Sequence, residues 1–265
     1  MLDGMAEPQD CHRPMLVWLD DARATDPGLV GSKTAALSVL RAHGFAVPDG
    51  FAVTAEAYRS AVEAAGIEPA LSYPIGLCAN ACAESHFRAS LVAQAEMPSA
   101  VVEAIADSYT ELGRRLGRAD PAVAVRTSVI DEEATFGPTA AALVGITGAS
   151  LVITAVSDCW QALFNERALI TRAALHHQFE PAMAVLVQAL VPTVRSGIAY
   201  STDPVVLLGD DDARRVAASA VGAEAVLGQP VAMAGSVRPD GAVVVLEVHT
   251  VSGAASEPDR TLARY

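Results

Sequence analysis

Aromatic residues are scarce, at 5% of a chain that is 52% hydrophobic. The core must therefore be aliphatic and alanine-rich. Positive charge is scarce too: 18 Lys and Arg face 31 Asp and Glu, a formal net charge of −13, and no basic run occurs. That balance disfavours a nucleic-acid or anionic-membrane partner. No apolar stretch reaches the roughly 18–20 residues that a bilayer span needs. The opening MLDGMAEPQDCHRP lacks the basic start and apolar core of a secretory signal. The 4 cysteines, Cys11, Cys78, Cys82 and Cys159, suit reduced thiols better than a disulfide framework. The sequence reads as cytoplasmic.

With 265 residues, the chain has room for one large domain or two lobes with a substantial core. MLVWLD reads as a short strand. Gly31 and Ser32 lead into KTAALSVLRAHG, whose apolar residues recur at helical spacing, with Gly44 as a stop. FAVPDGFAVT predicts two strands around a Pro-Asp-Gly turn, and Thr54 is the expected N-cap of the helix that follows. Pro98 opens a clear amphipathic helix bearing Val101, Val102, Ile105, Tyr109 and Leu112. PAVAVRTS predicts a strand, residues 150–178 one long helix, and MAVLVQALV a strand buried on both faces. RRVAASAV and GAVVVLEVHTVSG are expected strands, the latter after a turn at 239–241. Helices dominate the first two-thirds and strands the last third, which predicts an α+β fold.

Several side chains are candidates for chemistry. Lys33 follows a glycine at a strand-to-helix turn, where its ammonium can meet an anion alongside the helix amides; the plainer alternative is a solvated lysine opposing the helix dipole. Arg126 sits at the end of an apolar strand, able to fork two phosphate oxygens or to pair with Asp131, Glu132 or Glu133. Cys78, Cys82 and His86 fall at i, i+4 and i+8 of one helix face. They lack a fourth ligand at the usual zinc spacing, and Cys used as a small apolar residue explains them more simply. His176 and His177 read as a polar helix end.

Three segments, in order, resemble one family. LVGSKTAALSVLRAHGFAVPDGFAVTAEAYR (29–59), AVAVRTSVIDEEATF (122–136) and VQALVPTVRSGIAYSTDP (187–204) are similar to the ATP-binding domain of the phosphoenolpyruvate synthase, pyruvate phosphate dikinase and rifampicin phosphotransferase family. The resemblance implies an α+β, ATP-grasp-like, two-lobed nucleotide-binding domain with a shortened second lobe. Residues 1–14 would be a flexible N-terminus, 15–183 the first lobe, 184–255 the partial second lobe and 256–265 a tail. It also implies ATP and Mg²⁺ as cofactors, with Lys33 and Arg126 as catalytic phosphate contacts. Gln188, Leu190 and Val191 would meet adenine, and Glu224, where the family has GLGE, would lie near phosphate and metal. Ser196–Gly197 and Asp203–Pro204 look like family turn residues.

Other features depart from the family. The glycine-rich lid is replaced by TFGPTAAALVG, in which Pro138 removes a backbone donor. GLGE has become VGAE, and SEPDRTLARY is no convincing counterpart of the family's D-x-E and L-Q-x-R segment. No histidine stands out as a phosphoryl relay. The expectation is an ATP-binding component of a split phosphotransferase. It would pass phosphoryl to a histidine on a partner chain and on to a small-molecule acceptor. The alternative is a degenerate, non-catalytic scaffold or regulatory subunit.

Overall fold

The computed structural model describes residues 13–72, 81–130, 142–174, 182–202 and 210–251. Its strands are β1 (Leu16–Trp18), β2 (Gly50–Val53), β3 (Val123–Val129), β4 (Ala142–Ile146), β5 (Met183–Ala189), β6 (Arg195–Tyr200), β7 (Val231–Val237) and β8 (Val243–Thr250). Its helices are α1 (Pro27–Val30), α2 (Ser32–Ala42), α3 (Ala55–Ala64), α4 (Glu68–Ser72), α5 (Ala81–Gln94), α6 (Ser99–Leu116), α7 (Ala149–Gln161), α8 (Glu166–Ala174) and α9 (Asp210–Leu227). The α+β class expected from the sequence holds.

Five strands form one antiparallel sheet in the order β1-β2-β5-β3-β4, and β6-β7-β8 form a second. β5 spans the 183/184 boundary drawn from the sequence and is the central strand of the first sheet. The chain crosses to the second sheet between Ala189 and Arg195.

Strand alternation gives the first sheet two unlike faces. Phe51, Val53, Val123, Val125, Val185 and Val187 point into a core shared with α3, α6 and α7. The opposite face carries Ala124, Arg126, Ser128, Leu186 and Gln188. α2 lies over this second face and meets the second sheet as well. Its Leu37 and Leu40 join Leu186 of β5, Met233 of β7, Val245 of β8 and Val216 of α9 in a separate apolar cluster. A Val245 N–H donating to the Ala46 carbonyl at 2.9 Å also ties the second sheet to the loop between α2 and β2.

Several local expectations are corrected. Phe45–Pro48 is not a strand: Pro48 has no N–H to donate, and the Val47 carbonyl is taken by Arg41 at 2.9 Å. Thr54 precedes α3 but does not cap it through its side chain; its hydroxyl donates instead to the Pro14 carbonyl at 2.7 Å. The helix expected over 150–178 breaks after Phe164, where the Asn165 side chain accepts from Ala168 N–H at 2.8 Å and starts α8. RRVAASAV is helix, not strand. Its buried positions Ala213, Val216, Ala220 and Ala223 recur every three or four residues over α9, a period that an eight-residue window hides. Ser196–Gly197 lie within β6 rather than in a turn, and Ser196 shares a 2.7 Å hydrogen bond with Ser236 on β7.

Candidate functional site

The site forms where α2, β3 and β8 meet. Gly31 makes it possible. Its backbone has φ +78°, and a Cβ there would stand 2.3 Å from the Ser128 hydroxyl and 2.4 Å from the Ser128 carbonyl oxygen. Only glycine allows that approach. The Ser128 hydroxyl, on β3, in turn accepts from Thr34 N–H at 3.2 Å, which fixes the first turn of α2 against the strand. In this way the small residues around Lys33 and Arg126 bring these two cations to the same place.

Arg126 is in the middle of β3, between Leu186 of β5 and Ala142 of β4, not at a strand end. Its described ion-pair partner is not one of its neighbours in sequence, since Asp131, Glu132 and Glu133 lie outside the described residues. The partner is Glu247 on β8, whose Oε2 is 3.1 Å from an Arg126 Nη. The other oxygen, Oε1, is 3.3 Å from Lys33 Nζ and 3.0 Å from His249 Nε2. Glu247 and His249 are two apart on one strand and so share a face.

Burial pushes the Glu247 carboxyl up, but the hydrogen bond from His249 and the charges of Lys33, His249 and Arg126 together outweigh it. They bring it from the ordinary 4.5 down to about 2. The carboxylate is therefore ionised at neutral pH and held by two permanent cations. Its side chain is 21% exposed, that of Lys33 15% and that of Arg126 19%, so the cluster borders solvent but is largely removed from it.

Four buried polar atoms in this region have no hydrogen-bond partner among the described residues: Ser32 Oγ, Thr34 Oγ1, Arg126 Nε and Gln188 Nε2. Gln188 is 1% exposed and shares a sheet face with Arg126, one register step away. Two unsatisfied N–H donors on one face, beside a lysine, call for an acceptor-rich ligand, because a buried donor left unpaired costs about 1–3 kcal/mol.

The remaining predicted residues lie nearby or apart. Leu190 and Val191 follow β5 and line an open cleft of about 520 Å³ with Arg41, Pro48, Asp49 and Arg118. The Leu190 N–H is engaged by the Ala122 carbonyl at 2.9 Å, so that donor is not available to a base edge. Glu224 is half-buried on α9. Among the described residues no ion pair joins it to Lys33, Arg126 or Glu247. Cys82 and His86 sit on α5, while Cys78, Pro138, His176, His177, Asp203 and Pro204 lie outside the described residues, as does most of the TFGPTAAAL stretch. Among the described residues no group of three or more His, Cys, Asp or Glu is arranged to hold a metal. Magnesium bound mainly through phosphate oxygens needs only one or two protein carboxylates, whereas both oxygens of Glu247 are already engaged by Lys33, Arg126 and His249.

Residues 27–262 match the family model described as pyruvate phosphate dikinase, AMP/ATP-binding domain. The chain belongs to that family. Among its relatives, the phosphoenolpyruvate synthase of Aeropyrum pernix is 34% identical over 211 residues, covering 76% of this chain and 26% of that protein. The probable phosphoenolpyruvate synthase of Staphylothermus marinus is 33% identical over 245 residues, covering 88% of this chain and 28% of the relative. The phosphoenolpyruvate synthase of Synechocystis is 31% identical over 211 residues, covering 71% and 25%. The chain thus spans about a quarter of the length of these family members. The family resemblance read from the three sequence segments is borne out. No described helix is long and apolar enough to cross a membrane.

Sequence reasoning missed Glu247, His249 and Ser128. One signal was present: an acid and a histidine spaced i, i+2 interrupt an otherwise apolar strand, VVVLEVHT, where only solvent or a partner charge makes them tolerable.

Proposed function

We propose that this chain is the ATP-binding component of a phosphoenolpyruvate-synthase-like phosphotransferase, built on a two-lobed ATP-grasp frame whose lobes divide after β5 rather than at 183/184, and working in the cytoplasm. The observation that carries this reading is the convergence of Lys33 and Arg126 on one point, beside the unsatisfied donors of Arg126 and Gln188. Lys33 and Arg126 would hold phosphate oxygens and neutralise charge on the transferring phosphoryl group. The adenine ring would take the cleft at Leu190 and Val191. Mg²⁺, when bound, would supply further charge neutralisation, with Glu224 the candidate carboxylate ligand. The acceptor would be a histidine on a separate chain, which then passes phosphoryl to a small molecule.

A second reading, a non-catalytic scaffold or regulatory member of the family, is favoured by one feature: Glu247 already engages both cations from within. Calorimetric titration with ATP and Mg²⁺ tests the first reading. Binding that is lost in Lys33→Ala and in Arg126→Ala supports it. Absence of heat and of any thermal shift with ATP overturns it.

A further inference from the structure

The two oxygens of a single carboxylate reach both cations of the site, Oε1 to Lys33 Nζ at 3.3 Å and Oε2 to Arg126 Nη at 3.1 Å. We infer that Glu247 occupies the seat of one phosphoryl group and acts as a built-in competitor that sets which anions the site accepts. This rests on the reading of Lys33 and Arg126 as phosphate contacts, and adds what the ligand must do to reach them.

The geometry carries two consequences. First, a carboxylate is no wider than one phosphoryl group, so Lys33 and Arg126 converge on the same phosphoryl rather than on successive ones. Second, the pair carries two positive charges and Glu247 returns one negative charge. A weakly charged anion such as acetate gains nothing by replacing a carboxylate that is already positioned. A polyphosphate brings more charge and more acceptor oxygens, and it also offers partners to the unsatisfied Arg126 Nε and Gln188 Nε2. His249, 3.0 Å from Oε1 and on the same strand as Glu247, gives the carboxylate a hydrogen bond that does not depend on Lys33 or Arg126. Glu247 comes from the second sheet, whereas Lys33 and Arg126 belong to α2 and the first sheet, so an exchange of partners also changes what ties the two sheets together at this point.

The test is titration of the chain and its Glu247→Gln variant with inorganic tripolyphosphate and with ATP, without divalent metal. The expected result is at least tenfold tighter tripolyphosphate binding by Glu247→Gln, abolished when Lys33→Ala or Arg126→Ala is added. Glu247→Asp keeps the charge but is too short to reach both cations, and is also expected to bind more tightly than the parent. Should the Gln variant fail to fold, carboxyl-carbon NMR of the unsubstituted chain decides. Displacement from the cations raises the Glu247 pKa when tripolyphosphate saturates the site, and an unmoved or lowered value overturns the inference.

Equal or weaker tripolyphosphate binding by folded Glu247→Gln overturns the inference even where ATP binds the parent through Lys33 and Arg126. Tighter tripolyphosphate binding without any ATP binding supports the inference and removes the nucleotide reading. No binding of either ligand by any form overturns both.

Discussion

Arg126 and Glu247, separated by 121 positions in the chain, are 3.1 Å apart across the junction of the two sheets. The pair is stabilising only while Glu247 is ionised. Its folded pKa of about 2 lies below the ordinary 4.5, so its contribution is full above about pH 5 and is lost as the pH falls toward 2. Shared among His249, Lys33 and Arg126, with Arg126 the smallest part, that contribution is roughly 3 kcal/mol by linkage. Urea denaturation between pH 6 and pH 2 should show this acid-side loss. The Glu247→Gln variant should lack that component, and its curve should run flatter over the same range.

Gly31 is predicted to be intolerant of any side chain. Gly31→Ala forces a Cβ into Ser128 and keeps a positive φ, so it should cost roughly 2–4 kcal/mol and loosen the start of α2. The measurement is the denaturation midpoint, with Gly44→Ala as a control. Gly44 also has positive φ, but a Cβ there meets nothing within 4 Å, so the backbone penalty is separated from the clash.

Tyr109 offers a different check on the first core. Its buried hydroxyl donates to the Pro121 carbonyl at 2.9 Å and accepts from Gly148 N–H at 2.8 Å, linking α6 to the entries of β3 and α7. Tyr109→Phe should destabilise by about 1–3 kcal/mol, because two backbone groups lose their partner. Amide exchange at Gly148 should speed up in the same variant.

Cys159 is buried among aliphatic and aromatic side chains, and burial, with a smaller push from Asp158, raises its thiol to about 12. The thiolate is the reactive form, so Cys159 should resist maleimide at pH 8 in the folded chain and react only on unfolding. Exposed Cys82 should react at once, and peptide mass spectrometry distinguishes the two.

The elements most legible in the sequence are those whose pattern is long and whose partners are generic. α6 shows its buried stripe at Val101, Ile105, Tyr109 and Leu112, and β5 shows an unbroken apolar run. α9 was obscured because a short window such as RRVAASAV hides its helical spacing, although its alanines favour helix over strand; only the spacing over the whole segment decides. β4 and β7 carry glycines and alternate weakly, so they had little local signal. Lys33, Arg126 and Gln188 were legible as candidates because their segments follow a family pattern. Glu247 was not, since its cationic partners Lys33 and Arg126 lie 214 and 121 positions away in the chain.

The sequence by itself determined the aliphatic core, the helical and strand periodicities, and the glycine at position 31 that the turn into α2 requires. It also determined family membership, through three ordered segments. Only the tertiary structure decided where the charge of Arg126 goes. A salt bridge is a matter of distance in space, and Glu247 lies 121 positions from Arg126 along the chain. Packing of the second sheet against α2 placed β8 beside both cations, and burial there strengthened the attraction of Glu247 for them.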